Sequence, residues 1–252
     1  MMKLTDCIYL VGSGGQGFNL TDDYDCHIYL LDGGDELALI DAGAGMGVPQ
    51  IVEIIRSHGF EPEQVGHLLI THAHGDHAGG AARMTDALGG PRVYMHEDCA
   101  QFLIKGDEKA ISLAPAKRVG LYPEDYHFEP HPVDVILKDG DRIAVGDLEL
   151  RAVSTPGHSL GHVSFLLDHE GRTDFFGGDL VFFGGKILLQ NAWDCDLQAH
   201  LKSLARLRDA GIDGFFPGHL TFSLANGQRH IDAAVSIVDG LLVPPNFTYA
   251  WQ

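Results

Sequence analysis

The segment 72–77, which reads HAHGDH, is the strongest chemical signal in the sequence. Alternate residues of an extended segment face the same way, so His72 and His74 can bind one metal ion together. The glycine permits a sharp turn, after which Asp76 and His77 can point at a second ion nearby. Imidazole nitrogens and carboxylate oxygens are good ligands for zinc and for several other divalent metals. The segment therefore predicts a metal site, and an apolar strand that runs directly into it argues against a solvated, histidine-rich loop.

Three further ligand-type residues occur downstream, each in a turn rich in glycine or proline that follows apolar residues. His158 follows Thr-Pro-Gly, Asp179 follows two glycines, and His219 follows Pro-Gly. Taken alone, each is more typical of an ordinary loop or turn residue. Taken together with the segment 72–77, they supply the number of ligands that two metal ions need.

These residues must be positioned by the elements that precede them. Pro-Gly-His occurs twice, at 156–158 and 217–219, each time after a strand-like segment, which indicates strand-end loops that bring histidines to one rim of a sheet. Strand-like and helical patterns alternate in two runs, one on each side of about residue 130. The predicted strands are 8–11, 27–31, 36–40, 67–71, 92–95, several between 133 and 153, 163–167 and 173–176. The predicted helices begin at Pro49, at Leu197 with Asp194 or Asp196 as the cap, and at Arg229, the last ending at Leu242.

The chain resembles the metallo-β-lactamase-fold superfamily of metallohydrolases. The resemblance covers about residues 8 to 220, and its motifs stand in the family's order. It is specific for the superfamily and poorly specific for the substrate. The motifs are LIDAG at 39–43, HAHGDH at 72–77, LKDGD at 137–141, TPGHSLGH at 155–162, Gly178-Asp179 and Gly218-His219.

The resemblance implies an α/β fold, a four-layer αββα sandwich formed by a single domain over 1–252, with metals at the edge between the two sheets. It implies a residue-by-residue ligand set. The first metal is assigned to His72, His74 and His158, the second to Asp76, His77 and His219, and Asp179 bridges both. It also implies that Asp41 orients a ligand loop and that His162 packs or forms hydrogen bonds behind the ligands.

The chemistry implied is that of a hydrolase with two divalent metal ions, zinc first, with iron or manganese as alternatives. Two such ions lower the pKa of a shared water, so that hydroxide is available near neutral pH to attack a carbonyl. Asp76 lies where it could take or pass on a proton. We therefore expect cleavage of a small ester-type bond: a thioester, a lactone or a carboxylic ester.

Other functions of the same fold are weighed on particular residues. Glyoxalase II enzymes carry a longer basic C-terminal region, whereas only 33 residues follow His219 here and Arg229 is their sole Arg or Lys. β-Lactamases of this fold lack an aspartate at the Asp179 position. The tyrosine expected in lactonases is not evident, since Phe182 and Phe183 follow that aspartate. The alternative from another class is a persulfide dioxygenase-like oxidoreductase with one iron. A binding module without catalysis would be expected to lack a ligand position.

Two segments are candidates for the walls of a substrate pocket. Segment 100–132, which contains Tyr122, Tyr126, His127 and His131, could fold over the metal rim as a lid or form a helical excursion on the surface. Segment 182–196 contains Phe182, Phe183 and Trp193, which could line an apolar acyl pocket or belong to the core. Neither segment carries a motif that identifies the substrate.

Composition bounds the partners. With 17 basic and 35 acidic residues, the formal net charge is −18, which disfavours nucleic acid and anionic membranes and leaves a small-molecule substrate. Four scattered cysteines and a start without a signal-like apolar core favour free thiols and a cytoplasmic protein. The apolar end at 241–251 favours a homodimer contact.

The sequence GSGGQG at 12–17 matches a dinucleotide-binding motif. Too few residues follow it for a crossover helix, so we expect a glycine-rich loop beside the site.

Overall fold

A computed structural model describes residues 2–247 of the chain. The strands of the described residues are Met2–Lys3 (β1), Ile8–Gly12 (β2), Ile28–Asp32 (β3), Leu37–Ile40 (β4), Val65–Leu69 (β5), Arg92–His96 (β6), Val135–Leu137 (β7), Arg142–Val145 (β8), Leu148–Ser154 (β9), Val163–His169 (β10), Arg172–Gly178 (β11) and Gly214–Pro217 (β12). The helices are Val48–Ser57 (α1), Gly75–Ala78 (α2), Ala81–Leu88 (α3), Ala100–Lys105 (α4), Leu113–Arg118 (α5), Leu197–Arg206 (α6) and Gln228–Asp239 (α7).

The strands form two sheets whose parallel strands end near each other. The first sheet has the order β1-β2-β3-β4-β5-β6-β7 and is parallel from β4 onward. The second has the order β12-β11-β10-β9-β8 and is parallel only between β11 and β12. The N–H of Val163, at the start of β10, donates to the carbonyl of Thr71 just after β5 at 2.8 Å. Residues that follow β4, β5, β11 and β12 are thereby brought to one edge of the two sheets.

Three apolar clusters define the layers. The central cluster lies between the sheets and includes Leu10 and Tyr29 from the first sheet and Phe165 and Phe176 from the second. A second cluster packs α1 and α3 on the outer face of the first sheet. A third packs α6 and α7 on the outer face of the second sheet. The predicted four-layer αββα sandwich is therefore confirmed, since each sheet buries one face on its partner and the other on helices.

The predicted elements are confirmed to within a few residues, with two instructive differences. The strand expected at 67–71 ends at Leu69, because the N–H of Thr71 turns away from the ladder and donates to Asp41 Oδ1 at 2.8 Å. The last helix ends at Asp239, three residues early, where Gly240 follows and Leu241 adopts a left-handed φ of 59°. Of the two caps considered for α6, the side chain of Asp196 is the one that accepts from the N–H of Ala199.

No helix among residues 2–247 is both long and apolar enough to cross a lipid bilayer. The segment expected to favour a dimer lies partly outside the described residues, which end at 247. Within the described part, Leu241 and Leu242 are largely exposed. The homodimer stays a prediction.

Candidate metal centre

Three buried imidazoles, His72, His74 and His158, converge on one point; we call them the three-histidine group. His72 and His74 lie on the extended segment after β5, and His158 lies in the turn between β9 and β10. The Nδ1 atom of His74 is 3.0 Å from Nε2 of His72 and 3.0 Å from Nε2 of His158. Three ring nitrogens that face one another this closely are the arrangement of ligands around a single ion.

A second convergence, the aspartate group, is formed by Asp76, His77 and His219. Asp76 and His77 lie on α2, a single helical turn, and His219 follows β12. The Nε2 atom of His219 is 3.2 Å from Asp76 Oδ2 and 3.3 Å from His77 Nε2. The glycine before His219 is required, because a Cβ at Gly218 would meet Asp179 Oδ1 and the His77 ring.

Asp179 lies between the two groups. Its Oδ2 is 3.4 Å from Nε2 of His158 and 3.6 Å from Nε2 of His219. Its Oδ1 is 3.4 Å from Nε2 of His77. This Oδ1 atom is buried and makes no hydrogen bond within the described part of the chain. An orphaned buried carboxylate oxygen costs free energy unless a cation or donor satisfies it, so the residues present fit a bound metal.

Contacts on the outer side of the rings fix which nitrogen faces inward. The Nδ1–H of His77 donates to Asp41 Oδ2 at 2.8 Å, and the Nδ1–H of His158 donates to the carbonyl of Leu188 at 3.0 Å. A neutral imidazole with a proton on Nδ1 presents a lone pair on Nε2. These contacts therefore turn the Nε2 lone pairs toward the centre, as metal-binding histidines require.

The two residues expected behind the ligands lie there. Asp41, which follows β4, accepts from the N–H and the hydroxyl of Thr71 as well as from His77. Its φ of 65° is unusual for a residue other than glycine, which is a form of strain found at functional sites. His162 accepts from the N–H of Asp179 at 3.0 Å through Nε2 and bonds Thr155 through Nδ1.

Electrostatics hold most of the ligand-type groups in the protonation states that metal binding needs. Burial lowers the pKa of His72 and His74, and it lowers the pKa of His158 to about 4, so these rings are neutral near pH 7. Burial raises the pKa of Asp76 and Asp179, but the neighbouring imidazoles of the aspartate group outweigh it and lower both values. Both carboxylates are therefore ionised.

His77 shows that the centre favours positive charge. Burial lowers the pKa of this ring, but the acidic groups around it, including Asp179, Asp41 and Asp76, raise the value well above its ordinary range. The nearby Cys26 thiol lies close enough to Asp41 and His77 to complete a third cluster of ligand-type atoms. Burial raises the pKa of Cys26, so it stays a thiol and is a poor ligand. All four cysteines are free.

The structure thus brings together all seven residues that the sequence singled out as ligands. They offer five imidazoles and two carboxylates, a donor set suited to zinc, iron or manganese. The glycine of the motif acts differently from the expectation. Gly75 begins α2 without a left-handed φ, and a Cβ there would crowd the ring of Tyr122 at 3.1 Å. Its small size, not its backbone freedom, is what the site uses.

A cavity of about 780 Å³ opens onto the centre. Its floor includes His74, Asp76, Asp179 and His219, so it reaches the aspartate group more fully than the three-histidine group. Its lining also includes Gln16, Asn19, Asp23, Ile111, Leu121, Tyr122, Gln190, Thr221 and Phe247. The glycine-rich loop 12–17 borders this cavity and so lies beside the site, as expected.

The two candidate wall segments contribute to the cavity in different ways: segment 100–132 supplies Ile111, Leu121 and Tyr122, whereas the aromatic residues of segment 182–196 lie elsewhere. Phe182 is fully buried and packs against Phe247, Phe183 packs against His230, and Trp193 is exposed. Within the described residues none of the three lines the cavity; that segment contributes Gln190 instead. In segment 100–132, His127 lies on the surface beside Glu108.

Sequence reasoning placed Tyr122 in a segment that could fold over the metal rim but assigned it no role at the site. Its hydroxyl donates to Asp76 Oδ1 at 2.7 Å and accepts from the Asp76 N–H at 3.1 Å. The only signal in the sequence is its spacing of four from Tyr126, and the two rings stack with centroids 5.0 Å apart. Nothing local to position 122 indicates a partner 46 residues away.

Comparison with known proteins bears on the family. A family model described as the metallo-beta-lactamase superfamily matches residues 21–219. The lactamase-like protein vrtG of Penicillium aethiopicum is 30% identical over 193 residues, 76% of this chain and 50% of that protein. The chain thus spans about half the length of this relative. Acyl-coenzyme A thioesterase MBLAC2 of Gallus gallus is 29% identical over 218 residues, 81% of this chain and 74% of that protein.

A solved metallo-beta-lactamase of Cronobacter sakazakii with a HARLDQ motif superposes with a TM-score of 0.68 at 26% identity, over 86% of this chain and 77% of that one. The family match includes the segment 72–77, Asp179 and His219, the same residues that converge in the structure. The chain therefore belongs to the metallo-beta-lactamase superfamily, the family that its sequence resembles.

Proposed function

We propose that this protein hydrolyses thioesters at a centre of two divalent metal ions, zinc in the first place. The observation that carries the proposal is the position of the Asp179 carboxylate between the two ligand groups. Its Oδ2 lies 3.4 Å from Nε2 of His158 and 3.6 Å from Nε2 of His219, and its Oδ1 lies 3.4 Å from Nε2 of His77. A single ion would leave one of these groups without a role. The similarity to an acyl-coenzyme A thioesterase supports the choice of a thioester over a lactone or a carboxylic ester.

In this proposal the three-histidine group would hold one ion, the aspartate group would hold the other, and Asp179 would serve as a ligand to both. When bound, two such ions supply a water of lowered pKa and polarise the carbonyl of the substrate. The outer contacts from Asp41 and Leu188 keep the rings of His77 and His158 in the orientation that this requires.

The cavity walls orient the substrate. Ile111, Leu121 and Phe247 offer apolar surface for an acyl chain, while Gln16 and Asn19 offer amide groups on the same cavity. Asp76 borders the cavity, so its carboxylate is placed to accept a proton during attack and to return it to the leaving thiolate.

The charge of the cavity limits which thioesters suit it. Within the described residues no lysine or arginine lines it, and Asp23 stands exposed at its rim. A coenzyme A phosphate would therefore meet no opposite charge on this lining. We propose that the acyl and pantetheine-like parts enter the cavity and that any phosphate stays outside it.

The test starts from protein purified without added metal. Plasma mass spectrometry should find about two zinc ions per chain, and a panel of thioesters, lactones, carboxylic esters and phosphoesters should show thioesters cleaved best. His72→Ala should lower the metal content and abolish hydrolysis. His127→Ala, a histidine whose side chain is 78% exposed, is the matched control and should change neither.

Two results would contradict the proposal. One is a His72→Ala protein that keeps its metal and its activity. The other is one iron per chain together with oxygen consumption on a persulfide substrate, which would place the protein with the dioxygenase-like alternative.

A further inference from the structure

Asp76 differs from the other ligand-type residues in how it is held. Asp41, Leu188 and Thr71 support the histidines from inside the sandwich. Asp76 faces the cavity, and its side chain is 19% exposed, whereas that of Asp179 is 3% exposed. A carboxylate at a cavity wall can rotate or bind an ion through both oxygens unless a neighbour restrains it.

The restraint comes from Tyr122, which separates the two oxygens of the carboxylate. Oδ1 accepts from the tyrosine hydroxyl at 2.7 Å, and Oδ2 points at the aspartate group, 3.2 Å from His219 Nε2 and 3.7 Å from His77 Nε2. The same hydroxyl accepts from the N–H of Asp76 at 3.1 Å. The side chain of one residue thus fixes both the backbone and the carboxylate of Asp76.

Tyr122 is itself held between aromatic rings. It stacks on Tyr126 at 5.0 Å and lies 6.4 Å from Tyr24 on a nearly parallel ring, with both interplanar angles at 19°. The hydroxyl of Tyr126 donates to the carbonyls of Ala44 and Gly75, so the stacked pair is tied to the start of α2. Of the two hydroxyls, only that of Tyr122 bonds a ligand-type residue, so segment 100–132 reaches the metal centre through Tyr122.

We infer that Tyr122 is a positioning residue for metal binding: it keeps Oδ2 of Asp76 aimed at the ion of the aspartate group and keeps Oδ1 away from it. Segment 100–132 thereby sets the metal affinity of that group and leaves the three-histidine group unaffected. The inference rests on the proposed role of Asp76 as a ligand.

The test compares Tyr122→Phe with Tyr126→Phe, which loses one hydroxyl from the same stacked pair but none bonded to Asp76. Zinc binding is measured by competition with a chelator, and cobalt substitution gives a separate absorption signature of each position. We expect Tyr122→Phe to lower the zinc affinity of the aspartate group by about 10- to 100-fold, the range typical for loss of a group that supports a ligand. The affinity of Tyr126→Phe for both ions should stay within about twofold of that of the native protein, because the hydroxyl that this variant loses does not bond a ligand-type residue.

A double variant makes the assignment specific. In an Asp76→Asn background, Tyr122→Phe should have no further effect on zinc affinity, because the carboxylate that it positions is gone. The inference is overturned if Tyr122→Phe binds two ions as tightly as the native protein, if Tyr126→Phe weakens binding equally, or if the Asp76→Asn background leaves the effect intact.

The outcomes also separate this inference from the proposed function. A native protein that binds two ions and a Tyr122→Phe variant that binds them equally well contradict the positioning role alone. A native protein that binds no metal contradicts both.

Discussion

The two halves of the candidate metal centre are built differently. In the three-histidine group, His72 and His158 are fully buried, while His74 is 7% exposed and lines the cavity. The outer contacts of this group are a backbone carbonyl and the hydroxyl of Thr71. The aspartate group is supported by a carboxyl and a phenolic side chain, Asp41 behind His77 and Tyr122 behind Asp76, and two of its three residues line the cavity. The first half is fixed by the sandwich itself, whereas the second depends on side chains that can be changed without touching a strand.

Asp179 joins the halves, so changing it should give the largest effect and should not discriminate between them. Asp179→Asn keeps the shape but loses the charge and leaves one side of the centre facing an amide nitrogen. We expect kcat/KM to fall by about a thousandfold, as for the loss of a central electrostatic group. Metal content, measured by plasma mass spectrometry, should fall as well.

The control for this variant is Asp209→Asn, an exposed turn residue whose left-handed φ of 55° asparagine tolerates. If Asp179→Asn kept the native activity, the proposed role of the Asp179 carboxylate as a ligand to both ions would be wrong.

Asp41→Asn should weaken metal binding at one half of the centre more than at the other. Asp41 accepts hydrogen bonds from the N–H and hydroxyl of Thr71 and from His77, and an amide has only one oxygen to share among these donors. We expect zinc affinity at the aspartate group to weaken by about 10- to 100-fold and that of the three-histidine group to change less. Chelator competition measures both, with the exposed Asp35→Asn as control. Equal weakening at both positions would contradict the difference drawn between them.

Asp25 supports the aspartate side of the molecule and should make its stability depend on pH. The residue is buried and accepts from the Ala44 N–H at 2.9 Å, and the carbonyl of Ala44 in turn accepts from Tyr126. Burial raises the pKa of Asp25 to about 6 from an ordinary value of 3.8. Between these values the folded protein holds a proton that the unfolded chain releases, so stability falls as pH rises from about 4 to 6.

This loss amounts to about 2 to 3 kcal/mol in the free energy of unfolding across that window. Asp25→Asn should lose this pH dependence. Its free energy of unfolding should therefore rise relative to that of the native protein as the pH increases from about 4 to 6. Urea unfolding at several pH values measures the difference, and Asp23→Asn, an exposed neighbour, serves as control. Parallel pH profiles for native protein and Asp25→Asn would show that Asp25 does not hold that proton.

The features that could be predicted from the sequence are those set by local properties of the chain. The strands and helices were predictable because apolar periodicity and turns rich in glycine and proline are local properties of the chain, whereas the αββα arrangement was implied by the resemblance of the motifs to the family. The ligand-type residues stand in such turns, as His158 and Asp179 do, so they too could be found. Their convergence follows from the ends of β5, β11 and β12 and from the turn between β9 and β10, which all reach one edge of the two sheets.

What sequence could not supply are contacts between segments that are far apart. Tyr122 forms a hydrogen bond with Asp76, 46 residues away in the sequence, and no periodic pattern of residues predicts that contact. The aromatic residues of segment 182–196 were candidates for an acyl pocket, but Phe182 is used as core and Gln190 reaches the cavity. Which side chain of an irregular segment faces a cavity depends on tertiary packing, so the cavity walls had to come from the structure.

The smallest expected effect concerns the charge of the substrate, which approaches through the cavity on the aspartate side. Because Asp23 stands at the rim and no lysine or arginine lines the cavity within residues 2–247, an acyl-coenzyme A should be repelled where an acyl-N-acetylcysteamine with the same acyl chain is not. Raising the salt concentration should increase kcat/KM for the coenzyme A thioester by roughly threefold and leave that of the neutral thioester unchanged. Asp23→Lys should reverse the sign of this salt effect. A salt-induced fall with the native protein would instead place a positive surface on the path of the phosphates. Lys117 and Arg118, which follow the cavity-lining Ala116 on α5, would then be the first residues to change.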